Sequence, residues 1–261
     1  MRMRHAIFVP NFGVFSDPVL VADLAARSES AGWDGWFLWD HVVYRNGDEP
    51  AADPWLTLGA VAANTSRIRL GPLVTPLPRR RPWNVARQAV TLDHLSAGRV
   101  VLGVGIGTRT TLEFSGFGEV EDLATRGSML DEALGLIEEL WSGEEVNHRG
   151  SHYRVEGVRF RPAPIQDPLP IWVAAVWPSR KPLRRASRWQ GIVPLGLPGP
   201  GALAEVFAVA GEGIDVVVPA GGHPLRTWRE AGATWILHDV GPDATAGQIE
   251  QLIDAGPPEE V

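Results

Sequence analysis

The sequence contains no cysteine and no long apolar run. The absence of cysteine excludes disulfide bonds, thiolate nucleophiles and zinc sites with cysteine ligands, and it agrees with a cytoplasmic protein. No window approaches the ~18 consecutive apolar residues of a membrane helix, and the apolar run near the start is too short for a signal peptide. The formal net charge of −7 argues against nucleic acid and anionic membranes as partners. We therefore expect a cytoplasmic protein that acts on a small organic substrate.

The chain has 261 residues, of which 44% are hydrophobic, and (β/α)8 barrels run to roughly 250 residues as one unit. In its first part, short apolar runs alternate with helix start signals, which is typical of a parallel sheet with crossover helices. Strands are predicted at 6–10, 35–39, 68–74, 99–104, 171–176, 191–195, 215–219 and 235–238. The pattern predicts an α/β fold, a (β/α)8 TIM barrel. We expect a single domain over residues 1–261 with insertions near 108–128 and 144–170.

Two stretches interrupt the alternation of strand and helix. Residues 108–125 are rich in Gly, Thr and acidic residues, which predicts a long loop of the kind that is often functional. A strong amphipathic helix is predicted over 126–141. Residues 146–160 contain two short alternating runs around an Arg-Gly pair, and this pattern predicts a β-hairpin.

Gly103, Gly105 and Gly107 stand at alternate positions where the fourth predicted strand ends. Three positions without side chains would let a flat ligand or a phosphate approach the backbone. Small residues at alternate positions would equally fit the narrow interior of a closed barrel. The spacing is not a dinucleotide-binding fingerprint, because that motif needs Gly-x-Gly-x-x-Gly opening directly into a helix.

Several blocks, in their order along the chain, resemble the bacterial luciferase-like monooxygenase family, whose members are flavin- or deazaflavin-dependent oxidoreductases. The blocks are 37–41 (FLWDH), 67–107, 130–143 (LDEALGLIEELWSG), 152–166 (HYRVEGVRFRPAPIQ), 170–175 (PIWVAA) and 230–235 (EAGATW). The resemblance spans nearly the whole chain. It implies an insertion-bearing TIM barrel, in agreement with the strand pattern.

The resemblance implies that a flavin or deazaflavin ring lies across the carboxyl ends of the strands, with Asp40 and His41 near its reactive face. His41 would be a proton-transfer group, a role that suits imidazole at neutral pH. The alternative is that Asp40 only orients His41 or caps a loop. The resemblance also implies that Leu73 and Val74 carry a non-prolyl cis peptide against the ring and that Thr75 bonds the ring edge. Trp39 is a candidate to pack on the ring.

Further residues are expected along the ribityl or phosphate arm of the cofactor. By resemblance or by position these are Gly105, Gly107, Thr108, Arg109, Ala174, Ala175, Ser179 and Arg180. Deazaflavin-dependent sugar-phosphate dehydrogenases of this family carry a glutamate just after the equivalent of Gly107, where this chain has Thr108. The Arg79–Arg81 run is expected to face solvent, with contact to an anionic cofactor tail as the alternative.

The predicted function is oxidoreduction of a small organic substrate, either monooxygenation with reduced FMN or hydride transfer with coenzyme F420. The residues leave the choice of cofactor open. One alternative is a flavin-binding protein that has lost catalysis, and another is a metal-dependent TIM-barrel hydrolase. No metal site is expected, because His148 and His152 lack a carboxylate cluster to complete one. The resemblance further implies a homodimer and a separate flavin or F420 reductase as a partner.

Overall fold

A computed structural model describes residues 2–108 and 112–258 of the chain. Within these residues there are eleven strands and nine α-helices. The strands are β1 Arg4–Val9, β2 Gly35–Leu38, β3 Arg69–Pro72, β4 Thr75–Pro76, β5 Leu102–Gly105, β6 Glu145–Arg149, β7 Arg154–Arg159, β8 Ile171–Val176, β9 Gly191–Leu195, β10 Asp215–Pro219 and β11 Trp235–Asp239. The helices are α1 Pro18–Ser30, α2 Pro54–Asn64, α3 Pro82–Leu95, α4 Leu112–Ser115, α5 Leu123–Trp141, α6 Arg180–Ala186, α7 Leu203–Ala210, α8 Leu225–Glu230 and α9 Ala246–Ala255.

The barrel is a parallel sheet in the order β3-β2-β1-β11-β10-β9-β8-β5-β4. A parallel bridge between Leu70 and Val100 joins β3 to the residues that enter β5, so the two edges of the sheet meet. Strands β3 and β4 are two parts of the third barrel strand, interrupted at Leu73 and Val74. The predicted (β/α)8 barrel is therefore confirmed, and the one irregular strand is the third.

Helices begin where the sequence places capping residues. The Asp17 carboxylate accepts hydrogen bonds from the backbone N–H groups of Val19 and Leu20 at the start of α1, and Asp53 accepts from Leu56 at the start of α2. Each of these two helices has proline at its first position, where the missing N–H costs nothing. These local signals determine where the two helices begin.

The barrel interior is filled by a compact apolar cluster. The ring centroids of Phe37 and Trp172 lie 5.3 Å apart, and those of Trp172 and Trp235 lie 5.4 Å apart. Gly191 makes room for this packing, because a Cβ atom there would lie 2.2 Å from Cδ1 of Trp172. The larger core lies between the strands and the surrounding helices. The barrel interior is thus closely packed around these rings, and the cavities open at the carboxyl ends of the strands.

The insertions are partly as expected. Strands β6 and β7 pair antiparallel, which confirms the predicted hairpin. The first insertion, expected to be a continuous loop, contains helix α4, and α5 begins at Leu123 rather than at the predicted residue 126. Helices α7 and α8 were not predicted, because helices of eight and six residues span too few turns to show a clear period.

No helix in the described part of the chain has the length and apolar character needed to span a bilayer.

Candidate active site

Two adjoining cavities open at the carboxyl ends of the barrel strands. The first, of about 470 Å³, is called the histidine cavity because His41 and Glu113 border it. The second, of about 440 Å³, is called the tryptophan cavity because Trp228 of α8 borders it. The two share the lining residues Phe8, Leu73, Val74, Ala174 and Leu195. Together they form one mouth at the end of the barrel where TIM-barrel active sites are built.

Asp40 follows β2 and is held by donors from the segment around β4. Its Oδ1 atom accepts from Nη2 of Arg79 at 2.9 Å and from Nη2 of Arg80 at 2.8 Å. Its Oδ2 atom accepts from the Thr75 hydroxyl at 2.8 Å. The Asp40 side chain is fully buried and that of Arg79 is 5% exposed. A buried carboxylate is tolerated when cations and hydrogen bonds compensate its desolvation, as they do here.

His41 is bonded through its ring to Glu113 of α4. The distance from His41 Nδ1 to Glu113 Oε2 is 3.0 Å. The other oxygen, Oε1, accepts from the backbone N–H of Val42 at 2.6 Å and from Nη1 of Arg79 at 2.5 Å. The backbone of His41 is held as well, because its N–H donates to Asn11 Oδ1 and its carbonyl accepts from Asn11 Nδ2. The imidazole therefore has a fixed backbone and a fixed partner.

The charge state of Glu113 decides the proton position on His41. Burial raises the pKa of the Glu113 carboxyl, but the hydrogen bond from His41, the charge of Arg79 and the Val42 N–H together lower it below its ordinary value of 4.5. Glu113 is therefore ionised at neutral pH and acts as an acceptor. A neutral His41 then carries its proton on Nδ1, which leaves the Nε2 lone pair for a ligand in the cavity. This arrangement can accept a proton from a hydroxyl group.

Comparison with known proteins supplies the family. Residues 16–208 match the model of the luciferase-like monooxygenase family. The chain belongs to this family. It is 39% identical over 183 residues to an F420-dependent glucose-6-phosphate dehydrogenase of Nakamurella multipartita, an alignment that covers 69% of this chain and 52% of that protein. The chain spans about half the length of the curated relatives of this name that it matches.

Solved structures of luciferase-like proteins share the fold. An F420-dependent secondary alcohol dehydrogenase superposes with a TM-score of 0.79 at 17% identity, covering 97% of each chain. The coenzyme F420-dependent tetrahydromethanopterin reductase of Methanopyrus kandleri superposes with a TM-score of 0.77 at 18% identity, again covering 97% of each chain. At these identities the likeness establishes the architecture of the barrel.

The irregular third strand agrees with the luciferase-like resemblance. The peptide bond between Leu73 and Val74 is cis, as expected, and both residues border the two cavities. A Cβ atom on Gly103 would lie 2.4 Å from the carbonyl oxygen of Pro72, and one on Gly105 would lie 2.9 Å from Cγ2 of Val74. These two glycines thus make room for the bulging third strand, which is a packing role.

The other residues implied by the luciferase-like resemblance lie at different distances from the mouth. Those that border the histidine cavity are Trp39, Asp40, His41, Gly105, Gly107, Thr108 and Ala174. Thr75 and Ala175 are buried, and the hydroxyl group of Thr75 donates its hydrogen bond to Asp40. Ser179 and Arg180 are exposed at the start of α6, outside both cavities, and Arg109 lies outside the described residues. The cofactor-binding roles of all these residues stay predictions.

Sequence reasoning missed Glu113 and misjudged Arg79. Glu113 stood in a stretch read as loop, and no motif distinguishes it from the other acidic residues there. Arg79 was expected to face solvent, but its side chain is 5% exposed between Asp40 and Glu113. That expectation was wrong, because a run of three arginines looks like a solvated surface until the carboxylates it meets are known. In the alternative interpretation Asp40 orients His41, but the ring partner of His41 is Glu113.

Proposed function

We propose that this protein is a deazaflavin-dependent oxidoreductase that transfers a hydride between coenzyme F420 and an organic substrate at the barrel mouth. The observation that carries the proposal is the His41–Glu113 pair, with Nδ1 of His41 3.0 Å from an ionised carboxylate at the wall of the histidine cavity. Relatives that are 33–41% identical and are named F420-dependent favour F420 over FMN.

The residues at the mouth fit a flat, largely apolar ring with polar edges. Leu73 and Val74 offer an apolar wall, and Gly105 and Gly107 border the same space without side chains. Trp39 borders the same space, and its buried Nε1 atom has no hydrogen-bond partner in the described part of the chain. A buried donor without a partner costs free energy. A ring edge that carries a carbonyl oxygen or a nitrogen acceptor would accept the hydrogen bond that Trp39 Nε1 lacks.

When bound, coenzyme F420 supplies a carbon centre that accepts or donates a hydride. The task left to the protein is to move the accompanying proton. His41 Nε2 accepts the hydroxyl proton of an alcohol, and Glu113 stabilises the imidazolium that results because it is already ionised and bonded to Nδ1. In the reverse direction the imidazolium returns this proton to the carbonyl oxygen of a ketone. Phe8, Leu73 and Leu195 give the reacting atoms apolar surroundings.

An anaerobic titration tests the cofactor. Purified protein is titrated separately with reduced F420 and with reduced FMN, and cofactor fluorescence or absorbance is followed. We expect saturable binding of F420 and much weaker binding of FMN. Tight binding of FMN alone would replace hydride transfer by monooxygenation, and binding of neither would overturn the proposal and leave a metal-dependent barrel hydrolase to be tested.

His41→Gln tests the role of the imidazole. We expect this variant to bind F420 as the wild type does but to transfer hydride about 10²- to 10⁴-fold more slowly, the range for loss of a positioned proton-transfer group. His94→Gln is the matched control, because His94 is exposed on α3. Binding with no turnover in the wild type would favour a flavin-binding protein without catalysis.

The organisation of the molecule is part of the same proposal. We propose one domain over residues 1–261 with insertions near 108–128 and 144–170, a homodimer, a cytoplasmic location and a separate reductase that supplies reduced cofactor. Sedimentation velocity at several protein concentrations tests the dimer. A monomer at all concentrations would contradict it.

A further inference from the structure

The tryptophan cavity extends the mouth away from His41 and is strongly apolar. Val193, Leu197, Val217, Trp228 and Leu237 are among its lining residues. Its volume of about 440 Å³ lies within the range of about 300–1,000 Å³ that holds small molecules. Because the two cavities share five lining residues, a ring and a small substrate can lie side by side in the mouth.

The charged groups at the mouth are acidic. Among the described residues, those that border the two cavities include the carboxyl groups of Asp40, Glu113 and Asp239 but no arginine or lysine. Asp239 follows the last barrel strand, and its Oδ1 atom accepts from the Gly241 N–H at 2.9 Å. Burial raises the pKa of the Asp239 carboxyl above its ordinary value, and the Gly241 N–H partly offsets this. No cation is paired with Asp239 in the described part of the chain, so the ionised carboxylate is an uncompensated negative charge at this end of the mouth.

The two arginines that contact the carboxylates of the histidine cavity already have ionic partners. Arg79 donates to Asp40 and to Glu113, and Arg80 donates to Asp40. Their side chains are 5% and 17% exposed. Two guanidinium groups and two carboxylates in contact give no excess positive charge for a ligand. Phosphate monoesters carry about −1.5 to −2 charges at pH 7 and are held by arginine, lysine or aligned backbone N–H groups.

We infer that the mouth takes a neutral, mainly apolar alcohol or ketone as its substrate and rejects substrates that are phosphate monoesters. This inference rests on the proposed function. In the oxidative direction the carbinol C–H bond breaks and its electron pair leaves with the hydrogen as hydride to oxidised F420. The hydroxyl proton goes to Nε2 of His41, and the alcohol becomes a ketone. The apolar part of the substrate lies against Val217, Trp228 and Leu237.

Ligand binding and turnover are measured as separate steps. First, isothermal calorimetry is run on the F420-loaded protein and on the cofactor-free protein with cyclohexanol, 2-octanol and glucose 6-phosphate. Second, F420 reduction is followed with the same compounds. We expect binding and turnover of the two neutral alcohols and neither binding nor turnover of glucose 6-phosphate.

A charge variant tests the reason for the selectivity. Asp239→Asn should strengthen inhibition by inorganic phosphate by at least about fivefold, because it removes one like charge from the mouth. Asp243→Asn, an exposed neighbour paired with Arg45, is the control and should leave phosphate inhibition unchanged.

The outcomes separate the two proposals. Glucose 6-phosphate turned over faster than the alcohols would overturn the inference, and an additional Arg109→Gln variant would then show whether Arg109 binds the phosphate. Binding of the alcohols without binding of F420 would overturn the proposed function and leave the substrate class standing. Binding of F420 with no binding of either alcohol would overturn the substrate class alone.

Discussion

Nδ1 of His41 lies 3.0 Å from Oε2 of Glu113, although the two residues are 72 positions apart in the sequence. The first stands where β2 ends and the second belongs to α4 in the first insertion. The bond therefore attaches the insertion to the barrel at the mouth. Arg79 lies on the other side of Glu113 and continues the chain of contacts to Asp40. Four ionisable side chains from three segments of the chain thus form one connected network.

Replacing Glu113 by glutamine should slow turnover about 10- to 100-fold with little change in cofactor affinity, because the amide cannot stabilise an imidazolium as a carboxylate does. The pKa of Glu113 is held below 4.5 by His41, Arg79 and Val42, so the wild-type carboxylate stays ionised throughout the neutral range. The measurement is kcat and KM between pH 5 and 9.

The control for this variant is Glu121→Gln, which changes an exposed glutamate of the same insertion. The rising limb of the rate profile should move to lower pH in Glu113→Gln and stay in place in the control. An unchanged kcat and profile in Glu113→Gln would argue against any role of this carboxylate in proton transfer.

Replacing Asp40 by asparagine should lower the free energy of unfolding by about 3 to 5 kcal/mol, the usual cost of removing one partner from a buried ion pair. The loss leaves Arg79 and Arg80 without the carboxylate they share. Urea denaturation measures it. Asp243→Asn, whose pair with Arg45 is exposed, should change stability by less than about 1 kcal/mol. Equal effects of the two variants would contradict this account.

Gly103→Ala should destabilise the barrel by about 1 to 3 kcal/mol, since overpacking shifts neighbouring backbone. The new Cβ atom would lie 2.4 Å from the carbonyl oxygen of Pro72 and 2.6 Å from Cδ1 of Leu73. Because Leu73 borders both cavities, cofactor affinity should fall with stability. Gly135→Ala in α5 is the control, since nothing lies within 4 Å of its added Cβ, and it should be neutral or stabilising. A stable Gly103→Ala protein with normal affinity would show that the third strand can move.

Stability should fall as the pH drops from about 6.5 to about 4. Burial, and to a smaller extent the charge of His5 whose Nδ1 lies 3.1 Å from His238 Nε2, lowers the pKa of His238 to about 4. Between the unfolded and folded pKa values the unfolded chain binds the extra proton, so unfolding is favoured in that window. The expected loss between pH 7 and pH 4 is about 3 kcal/mol.

Chemical denaturation at pH 4, 5, 6 and 7 measures this dependence in the wild type and in His238→Gln, which should lose that part of it. His94→Gln, an exposed histidine of α3, should keep the wild-type dependence. A curve for His238→Gln that matches the wild type would assign the pH dependence to other groups.

Much of the barrel could be read from the sequence. Strands β8, β9 and β10 occupy the predicted residues, and helices α2 and α3 each begin with a proline. These elements carry their signals locally, as a short apolar run, a proline at the first turn or a glycine after the last. The cis peptide between Leu73 and Val74 was expected from family resemblance, which no local pattern would have supplied.

The candidate site was predicted only in part. His41 and Asp40 were found because they follow a strand whose end had to lie at the barrel mouth. Glu113 could not be found, because its importance comes from meeting His41 and Arg79 across the mouth. The same holds for Arg79, whose burial depends on two carboxylates from other segments.

Sequence alone determined the alternation of strand and helix and the end of the barrel where polar residues collect. Only the tertiary structure decided which charges pair, which ring nitrogen of His41 is left for a ligand and which side chains make the mouth apolar and acidic. The physical reason is the distance along the chain over which each interaction acts. Propensity, periodicity and capping act within a few residues, whereas electrostatic contacts depend on the closure that joins β3 to the residues before β5.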